Sequence, residues 1–212
     1  MYECHYRYKD RSDLILNMSC SSNILLLTDQ KTNFYFKAVK KETTKFFFEK
    51  TNNIFVFIEG YFFNKDIISK GLNNNICESE LIAKLYIQYG IDFIKNLDGF
   101  FCILIFDQKK RMLFAINDHI GSESIYFHKS SEYFSISSDI NLLRDKYSLE
   151  SLDNKRIYSF FELVHSSGNE TFFDNISQIN AYEYLNFDCR DTKIKSYGSF
   201  NANLYKDIKN ES

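Results

Sequence analysis

Short apolar runs alternate with polar clusters along the first sixty residues of the chain. "LILNM", "NILLLTD", "NFYFKAV", "KFFFEK" and "IFVFIEGYFF" follow one another, separated by Asp, Asn, Lys and Thr at intervals of about ten residues. That rhythm predicts a β-meander. Proline is absent, so Asn, Asp, Ser and Gly must supply the turns. The period then changes. In "ESELIAKLYIQYG", Ile82, Leu85, Tyr86 and Tyr89 recur at helical spacing, which predicts an inward face. Glu78 and Glu80 suit the positive end of that helix, and Gly90 suits its C-terminal cap. A second short helix, "IDFIKNL", leads into an Asp98-Gly99 turn.

Strands are predicted at "FFCILIF", "MLFAIN", "SIYFH" and "YFSIS". The run from Phe100 to Phe106 does not alternate, and a strand apolar on both faces needs cover on both. "DNKRIYSFFELV" predicts another helix, with Asp153 as N-cap and Ile157, Phe160, Phe161 and Val164 inward. "INAYEYLNFD" and "IKSYGSF" close the pattern as a hairpin. Residues 1–200 are expected to form one domain, since they hold no linker, internal repeat or low-complexity tract, and 201–212 a polar C-terminal tail. Layered sheets plus helices make the expected fold class α+β.

Composition narrows the functional classes. The 212 residues include 22 Phe and 15 Tyr and are 44% hydrophobic, which excludes a disordered chain. A net charge of −2 gives no argument for nucleic acid or an anionic membrane. The apolar stretches reach about six residues where a spanning helix needs roughly 20. With a polar start that lacks an apolar signal core, a soluble cytoplasmic protein is the expectation. Cys4, Cys20, Cys77, Cys102 and Cys189 form no CxxC pair, and their odd number fits reduced thiols better than a disulfide framework. His5, His119, His128 and His165 show no ligand spacing, so no metal and no cofactor is expected.

"LDGFFCILIFDQKKRMLFAINDHIGSESIYF" resembles the type-2 glutamine amidotransferase domain of the asparagine synthetase family. There an L-x-G-x-F-A-F-x-x-x-D strand and turn precede an R-D-x-x-G-x-x-P-L-Y loop. In this chain Asn117 stands in place of that Arg, and Ser124 in place of the Pro. Other pieces fall in the same order. "FIEGYFFNKDI" sits where the family has N-G-E-I-Y-N, and "CESELIAKLYIQYG" is similar to its S-D-T-E helix. "FSISSDINLL" and "TFFDNISQINAYEYLNFD" resemble its later strands, so the likeness covers roughly residues 50 to 200. It implies an N-terminal-nucleophile-hydrolase-like fold, a four-layer αββα sandwich of two antiparallel sheets.

Glutamine hydrolysis in such a domain requires four groups. The first is a cysteine at the mature N-terminus whose α-amino group, of pKa about 7.7–8.0, acts as base. The chain begins Met1-Tyr2-Glu3-Cys4, and large Tyr2 opposes methionine excision, so only cleavage after Glu3 would expose Cys4. His5 is no partner for it, because neighbouring strand side chains point to opposite faces. The second is an arginine for the substrate carboxylate, a bidentate task that lysine performs poorly. No arginine lies between Ser12 and Lys110, and Lys37, Lys40, Lys41, Lys45 and Lys50 are expected to solvate edges and turns. The third is an Asn-Gly oxyanion hole, matched here by Glu59-Gly60. An ionised Glu59 only accepts hydrogen bonds, while Gly60 is expected to serve backbone conformation. The fourth is an aspartate for the substrate ammonium. Glu78 stands there, and its position leaves that role and a helix N-terminal charge both open.

Three readings follow. The preferred one is a catalytically degenerate domain with no catalytic residue, as the resemblance implies for β-lactam synthetases and lasso-peptide cyclases. It would partner a synthetase-like ATP-binding protein or self-associate, since the chain carries no S-G-G-x-D-S loop of its own. The second is an active glutaminase subunit matured at Cys4. The third is an amine-binding module that uses Glu59, Gly60 and Glu78 of the old glutamine pocket.

Overall fold

The computed structural model describes residues 1–7, 17–20, 24–29, 34–39, 41–71, 76–163, 168–188 and 191–199. The expected tail, together with Val164, His165, Cys189 and the side chains of His5 and Cys20, lies outside the described residues. Strands β1 (Tyr2–Arg7), β2 (Asn17–Cys20), β3 (Ile24–Asp29), β4 (Phe34–Val39), β5 (Thr44–Glu49) and β6 (Ile54–Phe62) precede helices α1 (Lys65–Ile68) and α2 (Glu78–Tyr89). A 3₁₀ segment over Gly90–Asn96 leads to β7 (Gly99–Asp107), β8 (Met112–Asn117), β9 (Tyr126–Lys129) and β10 (Tyr133–Ser137). Helices α3 (Ile140–Tyr147) and α4 (Asn154–Leu163) come next, then β11 (Ser177–Gln178), β12 (Glu183–Phe187) and β13 (Thr192–Ser196).

These strands form two sheets, ordered β11-β9-β10-β1-β4-β3-β2 and β13-β12-β8-β7-β6-β5. The runs β2 to β4 and β5 to β8 are antiparallel meanders, as the ten-residue rhythm requires. Strand β1 is set between β4 and β10, in the interior of the first sheet.

Two apolar layers hold the sheets in place. Between them, Tyr2, Cys4 and Phe36 meet Phe55, Phe57 and Leu104, and Phe134 stacks on Phe187 at 4.1 Å. On the far side of the second sheet, Val56, Ile58, Ile103 and Ile105 pack with Ile82, Tyr86 and Phe93. Strands β6 and β7 are therefore buried on both faces, which is why the Phe100–Phe106 run does not alternate. Each fully buried Phe or Ile there contributes about 1.5–3 kcal/mol. Helix α3 lies on β9 and β10 and buries Leu143, so the layers run αββα.

Two helices differ from their expected faces. In α2 the buried side is Leu81, Ile82, Ala83 and Tyr86, whereas Tyr89 is 56% exposed. Gly90, at φ +64°, ends the helix there, and Phe93 and Ile94 of the 3₁₀ segment fill the core in place of Tyr89. Helix α4 buries no residue fully, and Phe161 is 76% exposed. Its anchorage is polar. Asp153 Oδ1 accepts from the Lys155 N–H at 2.8 Å as a cap, and Arg156 pairs with Asp153 and Glu170 while donating to the Thr171 carbonyl. Among the described residues the helix rests on the 170–173 loop, where Phe160 meets Phe172 at 5.2 Å, so its phenylalanines pack on a loop and stay partly or largely exposed.

Candidate functional site

Strands β6 and β7 converge where Gly60 faces Phe101 and Gly99 faces Phe62. Gly60 has φ +118°, and a Cβ there would lie 2.0 Å from the Phe100 carbonyl oxygen. The glycine is fixed by the approach of two strands as well as by its positive φ. The residue before it carries the charge. Glu59, paired in register with Thr44 and Cys102, is 2% exposed. Its carboxylate holds the Lys41 ammonium and lies 4.0 Å from the Met1 α-ammonium. The hydrogen bond and the charge of Glu59 raise the Lys41 pKa against the lowering effect of burial. Half-buried Glu123 belongs to the same cluster: burial, and then the charge of Glu59, push its carboxyl pKa upward.

Gly60 has both backbone polar groups engaged. Its N–H donates to the Thr43 carbonyl at 3.2 Å, and its carbonyl accepts from Lys45 Nζ at 2.6 Å. The same ammonium lies 2.5 Å from Oε2 of Glu78, the first residue of α2. The fold thus brings Glu59, Gly60 and Glu78 together, and two lysines stitch them. Lys41 and Lys45 are not edge solvators as expected. They flank the turn into β5, four residues apart, and both reach across to acidic groups on other elements. No feature of the sequence around these two lysines marks them out from the other turn and edge lysines.

Cys4 is not part of this cluster. It pairs in register with Phe36 and Ile136 and points into the core between the sheets, where burial raises its thiol pKa strongly. Tyr2, on the same side of β1, packs its ring on Phe57 and meets Cys102 Sγ at 3.0 Å through its hydroxyl. Of the three cysteines whose side chains are described, Cys77 alone is exposed. Native protein treated with iodoacetamide is expected to label at Cys77 and not at Cys4 or Cys102. Peptide mass mapping checks this, and fast labelling of Cys4 would contradict its burial.

The loop after β8 is built by Asp118. This wholly buried carboxylate accepts from the N–H groups of Phe101 at 2.9 Å, Ile120 at 2.8 Å and Ser122 at 3.1 Å, and from the Ser122 hydroxyl. Asn117 donates to the Ile179 carbonyl at 2.9 Å. His119 stacks on Tyr182 at 4.7 Å, and His128 Nδ1 lies 2.8 Å from the Asn175 carbonyl oxygen, so both imidazoles have structural neighbours. A cavity of about 510 Å³ opens between α1 and α2, lined by Ile67, Ile68, Leu85, Tyr89 and Phe93; Glu59, Gly60 and Glu78 do not line it. No group of three or more His, Cys, Asp or Glu among the described residues is placed to hold a metal ion. None of the described helices is long and apolar enough to cross a membrane.

Residues 38–198 match the glutamine amidotransferase domain family. The chain belongs to that family. Its relatives place this amidotransferase domain with the type-2 domains of asparagine synthetases. It is 25% identical over 134 residues to a putative glutamine-hydrolysing asparagine synthetase 2 of Methanocaldococcus jannaschii, covering 62% of this chain and 26% of that protein. It is 27% identical over 165 residues to asparagine synthetase 2 of Bacillus subtilis, covering 72% of this chain and 22% of the relative. The domain therefore spans about a quarter of the length of these relatives. Among solved structures, a glutamine phosphoribosylpyrophosphate amidotransferase from B. subtilis superposes with a TM-score of 0.52 at 12% identity, over 92% of this chain and 43% of that one. That likeness bears on the fold alone and agrees with the αββα layers.

Proposed function

We propose that this domain does not hydrolyse glutamine and serves as a partner or scaffold subunit for an ATP-dependent amide-forming synthetase. One observation carries the proposal. At Glu59-Gly60, where hydrolysis needs two hydrogen-bond donors for a developing oxyanion, there is a carboxylate and an N–H already given to Thr43. An ionised carboxylate supplies no donor, and its charge opposes that of the oxyanion. Recovering the Gly60 N–H would mean breaking its bond to Thr43, in the turn that leads into β5.

The alternatives ask more of the structure. A glutaminase matured at Cys4 would have to lose Tyr2, with its packing on Phe57, and bring out a thiol that now sits in the core. An amine-binding module would need free carboxylates, whereas Glu59 and Glu78 already hold lysines.

The partner half rests on exposed apolar surface. Tyr61, Phe63 and Phe100 make edge-to-face contacts at 5.1 to 5.9 Å, and Phe63 remains 57% exposed. Tyr158 and Phe161 of α4 form a second apolar surface. Exposed aromatic patches of this kind favour association. The curated relatives, named as synthetases, are about four times longer than the matched region, which supports a synthetase as the component this domain works with.

The purified protein is expected to release no glutamate from glutamine, with wild type and Cys4→Ala alike. Affinity purification from the host is expected to retain a chain bearing an S-G-G-x-D-S loop, and Phe63→Ser to weaken that retention at least tenfold. Glutamate release abolished by Cys4→Ala, with an intact mass lacking the first three residues, would establish the glutaminase instead. A monomer that retains no such chain would defeat the partner reading.

A further inference from the structure

We infer that the Gly60 carbonyl of β6 and the Glu78 carboxylate of α2 form a primary-ammonium site that the chain fills with its own Lys45, in place of a free amino-group ligand. Three features build the site. Oε2 of Glu78 is shut off from solvent and faces the Lys45 ammonium at 2.5 Å. The Gly60 carbonyl accepts from the same nitrogen at 2.6 Å, at a position whose φ of +118° only glycine adopts readily. The aliphatic stem of Lys45 runs from β5, so the cation arrives tethered and loses little freedom on entering. A carboxylate and a carbonyl converging on one nitrogen within hydrogen-bond range suit an R–NH₃⁺ group, which has three donors. A quaternary ammonium, with no N–H, satisfies neither acceptor.

The neighbouring pair does not compete for this position. Lys41 is bound to Glu59, one residue along β6, and balances that carboxylate's charge. Glu78 therefore depends on Lys45, and removing the ammonium leaves a buried carboxylate oxygen and a carbonyl facing an empty space. A small primary ammonium ion can refill that space and a bulkier quaternary one cannot. The inference deepens the proposed function by saying what occupies the old pocket, but it rests on Lys45 geometry and not on any partner.

The test is chemical rescue of the full chain. Lys45→Ala is expected to lower Tm by several degrees, and n-propylammonium chloride to recover at least half of the loss. Tetramethylammonium chloride at the same ionic strength should recover none of it. Wild type should show no shift with either salt, and Lys45→Ala combined with Glu78→Gln should not respond. Should Lys45→Ala fail to fold, Lys45→Met keeps the apolar stem, and ammonium chloride becomes the probe. Equal recovery by both salts, no recovery by the primary amine, or an equal shift in wild type would each overturn the inference. Partner retention is scored separately, so either proposal can fail while the other stands.

Discussion

Replacing Asp118 by alanine is expected to lower stability by about 3 kcal/mol or more, because a buried charged acceptor of several hydrogen bonds disappears at once. The carboxylate is 0% exposed and ties the Phe101 N–H of β7 to the Ile120 and Ser122 N–H groups of the following loop. Alanine leaves three backbone donors on two elements without that acceptor. The denaturation midpoint should fall while the denaturant slope stays unchanged, since the folded core around β7 and β8 is not otherwise altered. Amide exchange at Ile120 and Ser122 should accelerate in step. Asp118→Asn keeps one oxygen but turns an N–H₂ toward one set of donors, so it should lose an intermediate amount. An unchanged midpoint for Asp118→Ala would mean that the bonds of Asn117 to Ile179 and of Tyr197 to the Asn117 carbonyl hold the loop without it.

Gly60→Ala is expected to be comparably damaging for a different reason. A side chain at φ +118° is strained by about 1–3 kcal/mol. The added methyl would also press on the Phe100 carbonyl oxygen at 2.0 Å and on the Phe101 Cα at 2.9 Å, and overpacking of this kind adds about 1–3 kcal/mol more. The obstacle is backbone, which cannot rotate away as a side chain would. Gly71→Ala supplies the comparison, with φ +86° and nothing within 4 Å of the added methyl. Thermal melts should show Gly60→Ala losing clearly more than Gly71→Ala. Equal losses would mean that conformation alone, and not the approach of β6 to β7, dictates the glycine.

The sandwich was legible because its signals are local. The doubly apolar run of β7, the rhythm of the meanders and the start of α2 can each be read within a short window of sequence, and each appears in the structure. The same holds for the Asp153 cap. What α4 faces is not local: its spacing announces an apolar side, but whether a sheet lies beneath depends on where the 170–173 loop runs. Tyr89 shows a finer version, since the helix stops at Gly90 before its last apolar position can turn inward.

The site divided in the same way. Glu59, Gly60 and Glu78 were recognisable from their neighbours along the chain, and the fold does gather them. The lysines that complete them were not recognisable. Lys41 and Lys45 look like ordinary turn and edge residues until β5 is laid against β6 and α2, when each meets a carboxylate from a distant part of the sequence. The engagement of the Gly60 N–H by Thr43 was equally hidden, being a backbone bond with no sequence signature.

The approach of Gly60 to Phe100 separates two kinds of information that a motif reader takes as one. The glycine reports that two strands run close together, and any chain keeping this sheet has reason to keep it whether or not it performs chemistry. The residue just before it is free of that steric demand and can follow the chemistry. Under the proposed function, the glycine of the pair carries no information on activity, and the side chain ahead of it, with the cation it attracts, is the position to compare between amidotransferase domains.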